Sequence, residues 1–225
     1  MKQKFRHELK HEINYLDYLT VRQNLSVIAS LDKHAEDGAY KVRSLYFDNL
    51  YDKALRENLC GVDCREKFRI RYYNNDTSVI HLEKKSKISG LCSKLSAPLT
   101  VGETQKIMNG DLAWMRESGY ALVVELYSKI LSQGLRPAVI VDYMRIPYVY
   151  GPGNVRVTLD SDIRTCRNCA GFLDPEAATI PAGDSAIILE VKWDEFLPDN
   201  IRHACELQNR RPGAFSKYST CRIYG

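Results

Sequence analysis

Apolar and ionic side chains alternate residue by residue through much of this chain, which predicts strands with two chemically different faces. In R-E-K-F-R-I-R-Y-Y, Arg65, Lys67, Arg69 and Arg71 fall on one face, and Phe68, Ile70 and Tyr72 fall on the other. The same parity groups Arg6, Glu8, Lys10 and Glu12 on a strand from Lys4 to Ile13. It sets His81, Glu83, Lys85 and Lys87 against Ile80 and Leu82 on a strand from Ser78. Tyr143 and Arg145 share a face with Val141 in a strand over Arg136–Tyr148. Arg156, Thr158, Asp160 and Asp162 oppose Val157 and Leu159 in Val155–Ile163. Ile188, Glu190, Lys192 and Asp194 oppose Leu189, Val191 and Trp193 in Ala186–Asp194.

Helical spacing appears between these runs. Tyr15 to Leu31 carries Leu16, Leu19, Leu25, Ile28 and Leu31, which suits a helix lying on the sheet. Lys41 to Asp48 reads as a strand, and Asp48-Asn49 as the capping start of a helix over Tyr51–Asn58. Asn74-Asn75-Asp76 is a polar turn that closes a hairpin. Val101 to Ser132 forms a helical insert, divided into two helices, and Arg202 to Asn209 a short helix.

A soluble antiparallel sheet with one wet face would explain any one of these strands. Several charge-dense faces on one open sheet would repel severely, whereas a closed barrel can gather them in a lumen and pack its outer face against helices. The reading is therefore α+β, a closed antiparallel barrel with helices outside. A wet cationic lumen calls for a polyanion, and a polyphosphate with a divalent metal would neutralise both signs of charge.

The chain has 225 residues, a length that one barrel domain of about 200–250 residues can occupy. Hydrophobic residues make up 44%, enough for a core without disulfides. A net charge of +4 makes the basic character local, which argues for a focused site and against a nucleic-acid coat. No apolar run reaches the length of about 18 residues that a membrane helix requires. M-K-Q-K-F-R-H-E lacks the apolar stretch of a signal peptide, so a cytoplasmic protein without membrane insertion is expected. The seven cysteines read as reduced thiols. Cys166 and Cys169 have metal-ligand spacing, but a zinc site needs a second pair, and the nearest candidates, Cys60 and Cys64, lie far away in the chain.

The motifs R-H-E-L-K, S-L-Y-F-D-N, K-F-R-I-R-Y-Y, L-E-K-K-S-K, Y-M-R-I-P-Y, R-V-T-L-D, L-E-V-K and F-S-K-Y follow one another along nearly the whole chain. In that order they resemble the polyphosphate-polymerase domains of vacuolar transporter chaperone (VTC) complexes, a branch of the CYTH-like triphosphate tunnel metalloenzymes. The resemblance implies an eight-stranded antiparallel tunnel in a single catalytic domain, residues 1–225. It implies that Lys10, Arg69, Arg71, Lys85, Arg145, Arg156 and Lys217 contact phosphate as the catalytic cations. Tyr143, Lys192, Ser216, Lys87 and Lys94 would complete substrate binding, and Glu190 would hold Mn²⁺ or Mg²⁺. Glu8 matches the metal-binding carboxylates of the wider superfamily, but Arg6 stands where their first glutamate would be, so an ion pair with a neighbouring cation is its alternative role. Glu83 and Asp160 read as ion-pair partners, and His7, His11 and His81 as packing or surface residues. Arg43 and Lys94 stand in segments where parity does not choose between lumen and solvent. Ala214 replaces the lysine that often precedes F-S-K in the family.

The activity implied is ATP-dependent polyphosphate polymerisation, with γ-phosphate transferred to a growing chain. ATP and polyphosphate would be its partners, and any translocation of product would need a separate membrane protein. The alternatives are hydrolysis of tripolyphosphate or nucleoside triphosphate in the same tunnel, and a non-catalytic polyphosphate-binding module.

Overall fold

The computed structural model describes residues 6–35, 37–88, 91–184, 186–207 and 210–225. The expected strand start at Lys4 and helix end at Asn209 lie outside the described residues. In chain order the elements are β1 His7–Ile13, α1 Tyr15–Ile28, β2 Ser30–Leu31, β3 Tyr40–Asp48, α2 Lys53–Leu59, β4 Arg65–Tyr73, β5 Asp76–Ile88 and β6 Leu91–Leu99. There follow α3 Val101–Met108, α4 Ala121–Gln133, β7 Arg136–Tyr150, β8 Val155–Cys166, β9 Ile180–Pro181, β10 Ile187–Trp193, α5 Asp199–Ala204 and α6 Lys217–Tyr224.

Hydrogen bonding orders the main strands β1-β10-β8-β7-β3-β4-β5-β6, with β2 on β7 and β9 on β8. This corrects the closed barrel expected from the sequence. Among the described residues the order is open at β1 and β6. The alternation that places charges on one face sets the side chains of each strand but says nothing of whether the last strand bonds to the first.

Two compact units divide the chain: residues 1–41, 143–163 and 183–215 form one, and residues 42–142, 164–182 and 216–225 the other. In the first, Val157, Leu159, Leu189 and Val191 build a core with Val21 and Leu25 of α1. The helix starts on a capping box, in which Asn14 accepts from the Asp17 amide and Asp17 accepts in return. It buries Val21 and Leu25 and leaves Leu16 73% exposed, so the expected apolar stripe faces partly outward. It also ends at Ile28, and Leu31 pairs in β2 with Tyr148.

In the second unit Phe68, Ile70, Tyr72, Ile80 and Leu82 join Leu45, Phe47 and residues of α3 and α4 in the core, as parity requires. Asn74 and Asn75 both adopt positive φ, the conformation of a two-residue hairpin turn. The strand β6 was not anticipated; its Pro98 sits opposite His81 in a strand at the end of the order, where a missing N–H costs no ladder bond.

Two ionic groups on the apolar side were also unexpected. Lys84 lies within 3.0 Å of Glu66, and with Glu125 and Lys129 of α4 these residues form a four-charge clasp between helix and sheet. Arg43, for which parity did not choose a side, is 1% exposed and buried in the core. Its Nε donates to Asp142 at 2.9 Å and its Nη2 at 2.8 Å, while Nη1 donates to the Asp174 carbonyl.

Removing one member of a buried ion pair leaves the other charge unsolvated. Asp142→Ala is therefore expected to cost about 3–5 kcal/mol in urea unfolding, and the paired replacement Arg43→Met with Asp142→Leu to recover most of that loss. Equal stability of the single and double variants would show that this pair is not what the core needs.

Candidate functional site

Each unit carries its own ionic cluster. In the first unit, register places Lys10 beside Glu190 and Glu190 beside Thr158, while Glu8 sits beside Lys192 and Lys192 beside Arg156. Signs thus alternate along β1 and β10 and across that pair, whereas across β10 and β8 Lys192 meets Arg156 and Glu190 meets Thr158. Lys10 Nζ is 2.8 Å from Glu8 Oε1 and 3.4 Å from Glu190 Oε1. Lys192 Nζ is 2.8 Å from Glu190 Oε2 and 3.3 Å from Glu8 Oε2. Two ammonium groups therefore bridge two carboxylates.

Burial alone would depress the pKa of Lys10, but the Glu190 and Glu8 carboxylates raise it above the ordinary lysine value. Arg145 clamps Asp160 through two bonds, at 2.6 and 2.7 Å, and its Nη2 lies 3.9 Å from Glu190. Its guanidinium carbon is 5.2 Å from the Tyr143 ring centre. Arg156 donates to the Tyr40 hydroxyl at 2.8 Å and pairs with Asp32 at 3.1 Å. Lys10, Lys192, Arg145, Arg156, Tyr143, Glu8 and Glu190 are thus gathered on β1, β10, β8 and β7, and Glu8 and Asp160 take ion-pair partners. The buried Thr158 hydroxyl has no hydrogen-bond partner among the described residues.

In the second unit, cross-strand rows run through β3, β4, β5 and β6. Tyr46, Arg69, Glu83 and Ser96 form one, and Lys67, Lys85 and Lys94 the next. Glu83, 3% exposed, lies at the centre. It accepts from Arg69 Nε at 2.7 Å and from Lys94 at 2.8 Å, with Arg71 Nη1 3.9 Å away. Burial would raise the Glu83 pKa, but Arg69, Arg71 and Lys94 hold it far below the carboxylate range. Arg71 Nε donates to Ser44 at 2.8 Å.

Lys67 donates to Ser216 Oγ at 3.2 Å, and Ser216 caps α6, whose first residue is Lys217. Lys87, opposite Arg65, lies at the β5 end of the same face. Of the residues expected to bind substrate, Arg69, Arg71, Lys85, Lys87, Lys94, Ser216 and Lys217 belong to this unit. Lys67, read from the sequence as part of the cationic face, also belongs to the cluster, as do Ser44 and Tyr46, to which the sequence assigned no role. Ser44, Tyr46 and Asp48 alternate with Leu45 and Phe47, a signal available in the letters S-L-Y-F-D.

Two carboxylates of hard oxygen donors, drawn together around ammonium groups, suit a Mg²⁺ or Mn²⁺ ion whose remaining positions are filled by phosphate or water oxygens. Among the described residues no set of three or more His, Cys, Asp or Glu side chains could hold a metal by itself. Glu8 and Glu190 thus fit a metal shared with an oxygen-rich ligand better than one caged by protein. Cys166 and Cys169 are free thiols, as are the other five cysteines.

Fold and faces together define an antiparallel α+β protein with clustered cations on its strands. The chain belongs to the VTC domain family, whose model it matches over residues 5–223. No curated protein matches it. Among solved structures it is similar to a candidate adenylyl cyclase from Hippeastrum described as having a dominant triphosphatase activity. That likeness has 13% identity, a TM-score of 0.60 and coverage of 97% of this chain and 95% of the other. It is also similar to a candidate adenylate cyclase from Bacillus halodurans, at 14% identity and TM-score 0.54, covering 91% of this chain and 86% of that one. Both likenesses are of fold. Among the described residues no helix is long and apolar enough to cross a membrane.

A carboxyl with a lowered folded-state pKa adds stability above its unfolded pKa and loses it as pH falls toward the folded value. Glu83→Gln should therefore destabilise the protein at pH 7 by about 3 kcal/mol, the scale of stranding partly buried cations. The gap between parent and variant should narrow below about pH 4, where the unfolded carboxyl protonates. A gap in urea midpoints that stays constant from pH 7 to pH 3 would refute this account of Glu83.

Proposed function

We propose that the protein is a metal-dependent polyphosphate polymerase that transfers the γ-phosphate of ATP to a growing chain and releases ADP, with residues 1–225 acting as one catalytic domain. Family membership supports the phosphate substrate. The observation that carries the reading is the pair Glu8 and Glu190 bridged by Lys10 and Lys192, with Arg145 beside them.

A triphosphate is highly anionic, and transfer spreads charge over its non-bridging oxygens. Positioned cations are the main device such chemistry needs, so no protein nucleophile is required. Arg145, Arg156, Arg69 and Arg71 offer planar forks for paired oxygens. Lys10, Lys85, Lys192 and Lys217 supply point charges, while Tyr143, Ser216, Lys87 and Lys94 add contacts along the chain. Glu190, with Glu8, would hold Mg²⁺ or Mn²⁺, which would supply positive charge against that of the phosphate oxygens. On ligand binding Lys10 and Lys192 would exchange carboxylate oxygens for phosphate oxygens.

A second reading is hydrolysis of tripolyphosphate or nucleoside triphosphate, favoured by the triphosphatase activity described for the Hippeastrum protein. In that case water would be the attacking group. Either activity is expected of a cytoplasmic protein, with any membrane partner a separate chain.

Incubation with ATP and Mn²⁺ should produce long phosphate chains on a gel together with ADP. Chelation should stop both, and Glu190→Gln should lower turnover about a hundredfold or more, the scale of losing one electrostatic transition-state group. Inorganic phosphate without chains would replace the polymerase with the hydrolase. Tight polyphosphate binding with no turnover of any triphosphate would leave a binding module.

A further inference from the structure

Tyr46 occupies the middle of the polar side of β3, between Ser44 and Asp48, and is only 7% exposed. The β3–β4 register sets it opposite Arg69, and Arg69 Nη1 donates to its hydroxyl oxygen at 2.8 Å. Its ring packs at 34° to the Tyr218 ring with centroids 5.1 Å apart, which fixes the direction of the hydroxyl. Arg69 is held in turn by Glu83, through Nε at 2.7 Å and Nη2 at 2.6 Å.

A phenol can accept and donate at once. Here the accepting half is used, and among the described residues the hydroxyl proton has no acceptor. The neighbours contributed by β4 are Lys67, Arg69 and Arg71, all donors. The nearby carboxylates are already engaged: Glu83 of β5 by Arg69 and by Lys94 of β6, and Asp48 of β3 by Tyr218 of α6 and by the Ala54 and Leu55 amides. A buried O–H surrounded by donors lacks an anionic acceptor, and the cations beside it would attract one.

We propose that Tyr46 is a substrate-contacting residue whose hydroxyl, aimed by Arg69, donates its proton to a non-bridging oxygen of a phosphate chain lying along Lys67, Arg69 and Arg71. This rests on the phosphate reading of that face. It adds a neutral donor among the cations, one that discriminates by protonation as well as by charge. Burial would raise the Tyr46 pKa, but Arg69, Arg71 and Lys67 reverse that and bring it down to about 8. Ionisation removes the donor and places a negative charge on the ligand's path, so affinity should fall as pH rises through that value. Of the other groups facing Tyr46, Glu83 is held far below neutrality by Arg69, Arg71 and Lys94, and Tyr218 is pushed far above its ordinary value by burial and Asp48.

The test is calorimetric binding of inorganic tripolyphosphate from pH 6.5 to 9.5 by the parent and by Tyr46→Phe, which keeps the ring and its packing on Tyr218. Expected is a Kd about tenfold weaker for Tyr46→Phe at pH 7, the scale of one hydrogen bond to a charged group. The parent's affinity should fall above about pH 8, and Tyr46→Phe should lack that fall. Equal affinities at pH 7, or the same alkaline fall in both proteins, overturns the proposal. So does a flat parent profile, which needs no variant and holds even if Tyr46→Phe fails to fold. If the parent binds no tripolyphosphate at any pH, the phosphate reading of the face falls and this proposal falls with it. That result is distinct from a parent that binds normally beside a variant that binds equally well.

Discussion

Cations at every second position of a strand repel one another, and the second unit meets that constraint with one buried carboxylate. Glu83 sits across from Arg69 and draws in Arg69, Arg71 and Lys94. Desolvating a carboxylate is costly, and it is tolerated here only because several donors surround it. Its charge does not balance the face. Lys67, Arg69, Arg71, Lys85 and Lys94 outnumber the acids in the rows through β4, β5 and β6, so a residual positive potential remains. Glu83 fixes where the guanidinium groups point, and the excess charge is left for a ligand to neutralise.

The first unit solves the same problem differently. Glu8 with Lys192, Lys10 with Glu190, and Arg145 with Asp160 alternate in sign, so each charge has an opposite within hydrogen-bond reach. A nearly neutral lattice would not by itself attract a polyanion strongly. The two clusters therefore differ in charge balance, one nearly neutral and the other left with a positive excess.

Parity made much of this legible. Phe68, Ile70 and Tyr72 pack in a core while Arg69 and Arg71 meet Glu83, as the alternation of R-I-R-Y predicts. The ion-pair roles read for Glu83 and Asp160 are also what the geometry shows. What parity missed has identifiable causes. Arg43 and Lys84 lie on the apolar side because partners from distant segments, Asp142, Glu66 and Glu125, satisfy them there, and such pairing is invisible to a local period. In α1 the stripe through Leu16 and Leu19 competed with the face through Val21 and Leu25, and tertiary packing decided for the latter. The expected helix start after Asp48-Asn49 was chemically sound but displaced. Asp48 does accept from helix amides, yet those of Ala54 and Leu55, since the chain turns through Asp52 at φ 52° before α2 begins.

That same Asp48 explains why two motifs far apart in the chain behave as one device. Besides capping α2, it accepts from the Tyr218 hydroxyl, which anchors α6 against β3. Anchoring Tyr218 sets its ring against Tyr46 and brings the helix cap, Ser216, to Lys67 at 3.2 Å. The aspartate of S-L-Y-F-D-N thus organises F-S-K-Y, while Ser44 and Tyr46 meet Arg71 and Arg69. The buried carboxylate keeps its charge, but its lone pairs are spent on two amides and a phenol, so it acts by fixing the positions of α2 and α6 relative to β3.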